Sequence, residues 1–173
     1  MPISKPSNKA NPEPTGLTPP VWYGTEAFTE RIDSLMAGGE YRTGTCFLFY
    51  GGTREERQQA LGTLTRYATG NVHQFRVPSL LSEYRMQTQN SLRKAFDHAA
   101  EENALLYFDK VDALFTHEHA DTPDDSETQV APTTVEYFFD RVAAYTDVVV
   151  LSLQRKSHLE WAQDKASLVV RFE

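Results

Sequence analysis

Apolar side chains follow two rhythms along this chain. Short runs dominated by apolar residues occur at Cys46–Tyr50, Phe75–Val77, Ala104–Phe108, Val148–Leu153 and Leu168–Phe172, interrupted only by Arg76, Ser152 and Arg171, as expected of strands covered on both faces. Between them, apolar residues return every third or fourth position. Leu92, Ala95, Phe96 and Ala99 fall on one helical stripe, and Val135, Phe138, Phe139 and Val142 on another. The spacing predicts helices over Arg54–Tyr67, Leu80–Glu102 and Thr133–Tyr145, with a short turn-rich piece over His158–Lys165. Strand alternating with helix predicts an α/β fold, a three-layer sandwich in which helices cover both faces of a parallel five-stranded sheet.

Upstream, Thr25 can cap a helix whose apolar positions are Phe28, Ile32 and Leu35 and whose end is Gly38-Gly39. Residues 1–21 hold six prolines and almost nothing large to bury, so a disordered tail is expected there, with the packed domain spanning 22–173. Residues 116–132 are acidic and poor in large apolar groups, and predict a long loop between a strand and a helix. Both segments are free to order on a partner, which makes them candidate contact regions.

Composition narrows the function classes. A formal charge of −7 argues against a partner bound through its phosphate backbone, so nucleic acid is not expected. The single cysteine, Cys46, excludes an intrachain disulfide and suits a reducing compartment. No run approaches the roughly 18 apolar residues of a membrane span. A cytoplasmic location follows as the expectation.

In a doubly wound sheet, ligands sit beyond the carboxyl ends of the strands. After the first strand a phosphate-binding loop would read Gly, four residues, then Gly-Lys-Thr or Gly-Lys-Ser. This chain places Gly51 first, followed by Gly52-Thr53-Arg54-Glu55 and then Glu56-Arg57-Gln58. Glu56 brings a carboxylate to where a polyanion would lie. Arg57 keeps a positive charge on a bulkier, planar group, and Gln58 lacks the hydroxyl that would hold magnesium.

Three further strings resemble the AAA family of ATPases, over about residues 45–173. Residues 80–97, LLSEYRMQTQNSLRKAFD, resemble its segment from the central-pore loop into the second helix. Residues 105–115, LLYFDKVDALF, resemble its Walker B strand and turn. Residues 133–159 resemble its third helix and the strand carrying the first sensor. The resemblance implies a P-loop NTPase-like core with strand order 5-1-4-3-2, and a nucleotide site at Gly51, Gly52, Arg57, Asp109 and Gln154. Asp109 stands at the Walker B aspartate, Lys110 at the glutamate that orients the attacking water, and Gln154 at the sensor asparagine. Tyr84, Arg85 and Met86 stand at the pore-loop triplet, and Lys165 lies near the arginine-finger region. The chain ends at Glu173, just after the fifth strand, so the family's helical lid is expected to be missing.

A kept scaffold with altered chemistry predicts a pseudo-ATPase, a non-hydrolysing module that binds a protein partner such as AAA subunits or a larger assembly, with no catalytic residue and no cofactor. The alternative is a divergent remodelling ATPase that binds ATP and Mg, with Arg57 in place of lysine and partner subunits supplying the missing groups. A third reading is a sensor of another anion through Arg54, Arg57 and Arg155. No metal site is expected: the string His117-Glu118-His119-Ala120-Asp121 has the look of a zinc-ligand set but lies in a polar loop without a supporting frame. Arg155 and Lys156 are expected to solvate a turn. Ser152 has no glycine elbow and is excluded as a nucleophile.

Overall fold

The computed structural model describes residues 19–37, 43–67, 71–117, 119 and 133–172. The 116–132 stretch falls outside the described residues except for Thr116, His117 and His119, as do Gly38-Gly39 and the first 18 residues of the expected tail. The chain forms β1 (Val21–Trp22), α1 (Glu26–Met36), β2 (Cys46–Tyr50), α2 (Arg54–Thr65), β3 (Val72–Arg76), α3 (Val77–Leu80) and α4 (Arg85–Glu101). It continues through β4 (Leu105–Asp109), α5 (Asp112–Thr116), α6 (Thr134–Ala144), β5 (Val149–Leu153), α7 (Lys156–Ala162), a 3₁₀ turn at Gln163–Lys165 and β6 (Leu168–Arg171).

The sheet is parallel in every pairing, in the order β1-β6-β2-β5-β4-β3. Without β1 this is the 5-1-4-3-2 order that the resemblance implies. The correction is a sixth strand: Val21, expected at the end of the tail, is buried and pairs with Val170. Two residues are too few to register as an apolar run. Arg171 fastens this edge, its guanidinium lying over the rings of Trp22 at 5.2 Å and Tyr50 at 5.3 Å.

Alternation along each strand sends successive side chains to opposite faces. Cys46, Leu48, Leu106, Phe108, Val149 and Leu151 meet α4 and α6 on one face. Phe47, Phe49, Leu105, Tyr107, Val150 and Val170 meet α1 and α2 on the other. The first core is largely aromatic, with the Phe108 ring 5.0 Å from Phe138, 5.2 Å from Phe96 and 5.7 Å from Phe75.

Two boundaries differ from the sequence reading. The strand expected at Phe75–Val77 runs from Val72 to Arg76, because this edge strand is half exposed and its polar residues hide it from a search for apolar runs. Pro78 then opens α3, so the helix expected over Leu80–Glu102 is two helices with a break at 81–84. Thr25 caps α1 as expected, its hydroxyl accepting from the Phe28 amide at 3.2 Å. The turn-rich piece at His158–Lys165 is mostly the helix α7.

Burial pushes the Cys46 thiol from its ordinary 9.0 up to about 12. Below pH 9 both folded and unfolded chains keep this proton. From about pH 9 to 12 only the unfolded chain releases it, so this contribution to stability is lost as pH climbs through that window. Tyr107 and Tyr145, whose phenols are also raised chiefly by burial, act in the same direction. The melting temperature is expected to fall from pH 9 to 11, less steeply in Cys46→Ala, and an aromatic disulfide reagent at pH 8 should label the thiol only after denaturation.

Candidate functional site

The turn after β2 is shaped by two glycines with left-handed backbone, Gly51 at φ +83° and Gly52 at φ +79°. A Cβ on Gly52 would come within 2.5 Å of Phe172 Cβ, so only glycine lets this turn lie against the end of the chain's last strand. Thr53 then caps α2 in a reciprocal box: its hydroxyl accepts from the Glu56 amide at 3.1 Å, and Glu56 Oε1 accepts from the Thr53 amide at 2.9 Å. The start of a helix attracts negative charge. Here that place is already held by the chain's own carboxylate.

Arg57, on the first turn of α2, points inward and is buried. Its Nη1 donates to the carbonyl oxygens of Gly52 at 2.7 Å and Gly51 at 3.3 Å. Its Nη2 lies 3.8 Å from Oδ1 of Asp109, the last residue of β4. The Tyr107 hydroxyl donates to the same oxygen at 3.4 Å, and Gln154 Nε2 reaches the Gly51 carbonyl at 3.5 Å. The Tyr107 phenol is pushed up by burial and then by the Asp109 charge, against a smaller downward pull from Arg57 and Ser152. Gly51, Gly52 and Asp109, singled out from separate parts of the sequence, therefore meet around the Arg57 guanidinium, and Gln154 joins them through the Gly51 carbonyl.

The turn after β4 holds a residue whose role the sequence reading missed. Asp112 Oδ1 accepts from the Gln154 amide at 2.8 Å, and Oδ2 accepts from the Arg155 amide at 2.9 Å and from His158 Nδ1 at 2.8 Å. One carboxylate thus fixes the turn from β5 into α7. Phe115 stacks on the His158 ring at 4.3 Å, which holds the imidazole in line. The sequence signal was an aspartate three residues beyond a strand end, in a position open to a neighbouring turn. Lys110 sits between the two aspartates with its side chain exposed and its backbone at φ +58°, a conformation unusual for a residue with a Cβ.

Tyr84, Arg85 and Met86 begin α4. Tyr84 and Met86 are exposed, and Arg85 lines a surface groove together with His117. The break before them is braced by Thr88, whose hydroxyl accepts from the Ser82 amide at 2.7 Å, and by His117 Nε2, 2.7 Å from the Ser82 carbonyl. Lys165 lies over the Trp161 ring at 4.3 Å and pairs with Asp164 at 3.7 Å.

The family model described as "ATPase family associated with various cellular activities (AAA)" matches residues 60–162, more than half of the chain. The chain belongs to the AAA family. The match begins just beyond the frame at 51–58 and includes Asp109, Lys110, Asp112 and Gln154. Among solved structures, the crystal structure of the FIGL-1 AAA domain in complex with ADP is similar to this AAA chain, with a TM-score of 0.56 at 13% identity. That likeness, which covers 86% of this chain, establishes the common fold. This chain spans about half, 52%, of the FIGL-1 chain. No curated protein sequence matches it. Among the described residues of this AAA module, no helix is long and apolar enough to cross a membrane.

Proposed function

We propose that this AAA module does not hydrolyse ATP and acts as a protein-binding or regulatory part of a larger assembly, with AAA subunits as the first partners to test. The observation that supports this reading most is the direction of Arg57. Its guanidinium is engaged by the carbonyls of the loop that a triphosphate would need and by Asp109, which in an active site would serve the metal. Glu56 adds a carboxylate at the helix start, and Lys110 offers a cation where a base is required.

The second reading, an ATP-binding remodelling subunit, has its own support in the positive-φ glycine pair, which is compatible with a loop that wraps a ligand. Phosphate release and calorimetric titration with Mg-ATP separate the two. The expected result is turnover at background and no saturable heat at about 100 μM nucleotide, a weak-binding limit of about 5.5 kcal/mol. Steady turnover abolished by Asp109→Ala would overturn the proposal, and micromolar binding without turnover, lost in the same variant, would favour the second reading.

A further inference from the structure

Away from the loop of Gly51 and Gly52, the edge of the sheet gathers three side chains able to hold a metal. His73 projects from β3, the edge strand, with its side chain only 15% exposed. His98 lies in the last turn of α4, and Glu102 caps that helix four residues later, one turn along the same face. His73 Nε2 is 2.9 Å from Glu102 Oε1, and Asn71 Nδ2 donates to that same oxygen at 2.9 Å. The imidazole of His98 lies beside that of His73, with ring centroids 5.2 Å apart. One donor atom from each of His73, His98 and Glu102 lies within 4.8 Å of the others.

We propose that His73, His98 and Glu102 form a binding site for a divalent transition-metal ion, with zinc the best match, that ties the edge strand β3 to the end of α4. Two imidazoles and one carboxylate are the donor set of a borderline ion, whereas magnesium and calcium favour oxygen alone. Metal–ligand distances of about 2.0–2.1 Å in a tetrahedron put donors about 3.3 Å apart. The His73–Glu102 pair is already at that scale. His98 is exposed, so rotation of its side chain is free to close the remaining gap. Asn71 holds the carboxylate oxygen, the kind of outer support that metal ligands use. The last turn of α4 adds the negative end of a helix dipole, which favours a cation. Three protein ligands leave a position for water or for a side chain of a partner. An ion here links two elements that otherwise meet only through side-chain contacts at the sheet's exposed edge.

Cobalt(II) titrated into the untagged full chain tests this directly, because coordination by imidazole gives visible absorption that zinc then displaces. The expected result is absorption that saturates at one ion per chain. Zinc at tenfold above its dissociation constant should raise the melting temperature by about 4 °C. Both effects should be lost in His98→Ala and in Glu102→Gln, surface changes that leave the core intact. They should persist in His117→Ala/His119→Ala, which removes the other adjacent imidazole pair. Absorption that survives His98→Ala, or that disappears with the His117 and His119 pair, would overturn the assignment. So would the lack of any saturable signal at about 1 mM metal, an affinity too weak for a site.

Discussion

Arg57→Ala is expected to destabilise the fold by about 3 kcal/mol, because it removes a buried charged donor from two loop carbonyls and, to a smaller extent, leaves the Asp109 carboxylate without its cation. In a chain of this size the loss reads as a fall in melting temperature of roughly 9 °C. Two effects add. The Gly51 and Gly52 carbonyls lose their charged donor, the Gly52 bond at 2.7 Å being the tighter. Asp109, 13% exposed at its side chain, loses its nearest cation and keeps only the long Tyr107 hydrogen bond. At 3.8 Å the Arg57–Asp109 contact is loose, so most of the loss is assigned to the loop carbonyls. Arg57→Lys restores a charge but lacks the planar fork that spans two carbonyls and a carboxylate, and should recover about half. Thermal melts of Arg57→Ala, Asp109→Ala and the double variant measure the coupling, expected at about 1 kcal/mol. Strict additivity, or a change in Arg57→Ala of less than about 1 kcal/mol, would show that the guanidinium does not hold the loop.

The same residue shows how far the sequence could be read. That Arg57 stands at the lysine position of a phosphate loop was visible from the frame Gly51 to Gln58. Its inward direction was not, because one turn of helix decides whether a side chain at that position meets solvent or core. Glu56 illustrates the reverse. It was read as a charge unfavourable to phosphate, while the pattern Thr53-x-x-Glu56 before a helix is also the signature of a capping box, and the structure uses it so.

Strands at the centre of the sheet were legible because both faces are buried and nearly every residue is apolar, Ser152 in β5 and the terminal Asp109 of β4 excepted. β1 and β3 were missed or shifted because an edge has only part of that constraint. His73 and Gln74 occupy positions where a central strand would carry Val or Ile. That relaxed edge is also where His73 is free to meet His98 and Glu102. The spacing His98-x-x-x-Glu102 was available in the sequence, but the third group arrives from a strand 25 residues earlier, and only the pairing of β3 with β4 brings it there. The string His117-Glu118-His119 is conspicuous in the sequence because its residues are adjacent. In the structure His117 instead binds the Ser82 carbonyl and helps fix the start of α4.

Asp112→Ala should cost about 3 kcal/mol as well, for a different reason. Its carboxylate accepts three hydrogen bonds, each with a charged acceptor, and bonds of that kind contribute more than neutral ones, about 1.5–3 kcal/mol net apiece when well buried. Compensation is partial here, with the Asp112 side chain 17% and the His158 side chain 12% exposed. The variant leaves the Gln154 and Arg155 amides without an acceptor at the head of α7. Hydrogen exchange at those two amides should therefore accelerate more than exchange in β5 itself, alongside a melting temperature lowered by roughly 9 °C. Asp112→Asn keeps one acceptor and removes the charge, and should fall between the variant and the parent. Asp164→Ala is the matched control, since its pairing with Lys165 is exposed and contributes within about 0.5 kcal/mol. Equal effects of Asp112→Ala and Asp164→Ala would mean that the β5–α7 turn is held by packing of Phe115 on His158 and not by the carboxylate. Because Gln154 also reaches the Gly51 carbonyl, a loosened turn would carry into the loop around Arg57, and the Asp112→Ala and Arg57→Ala losses should add to less than their sum.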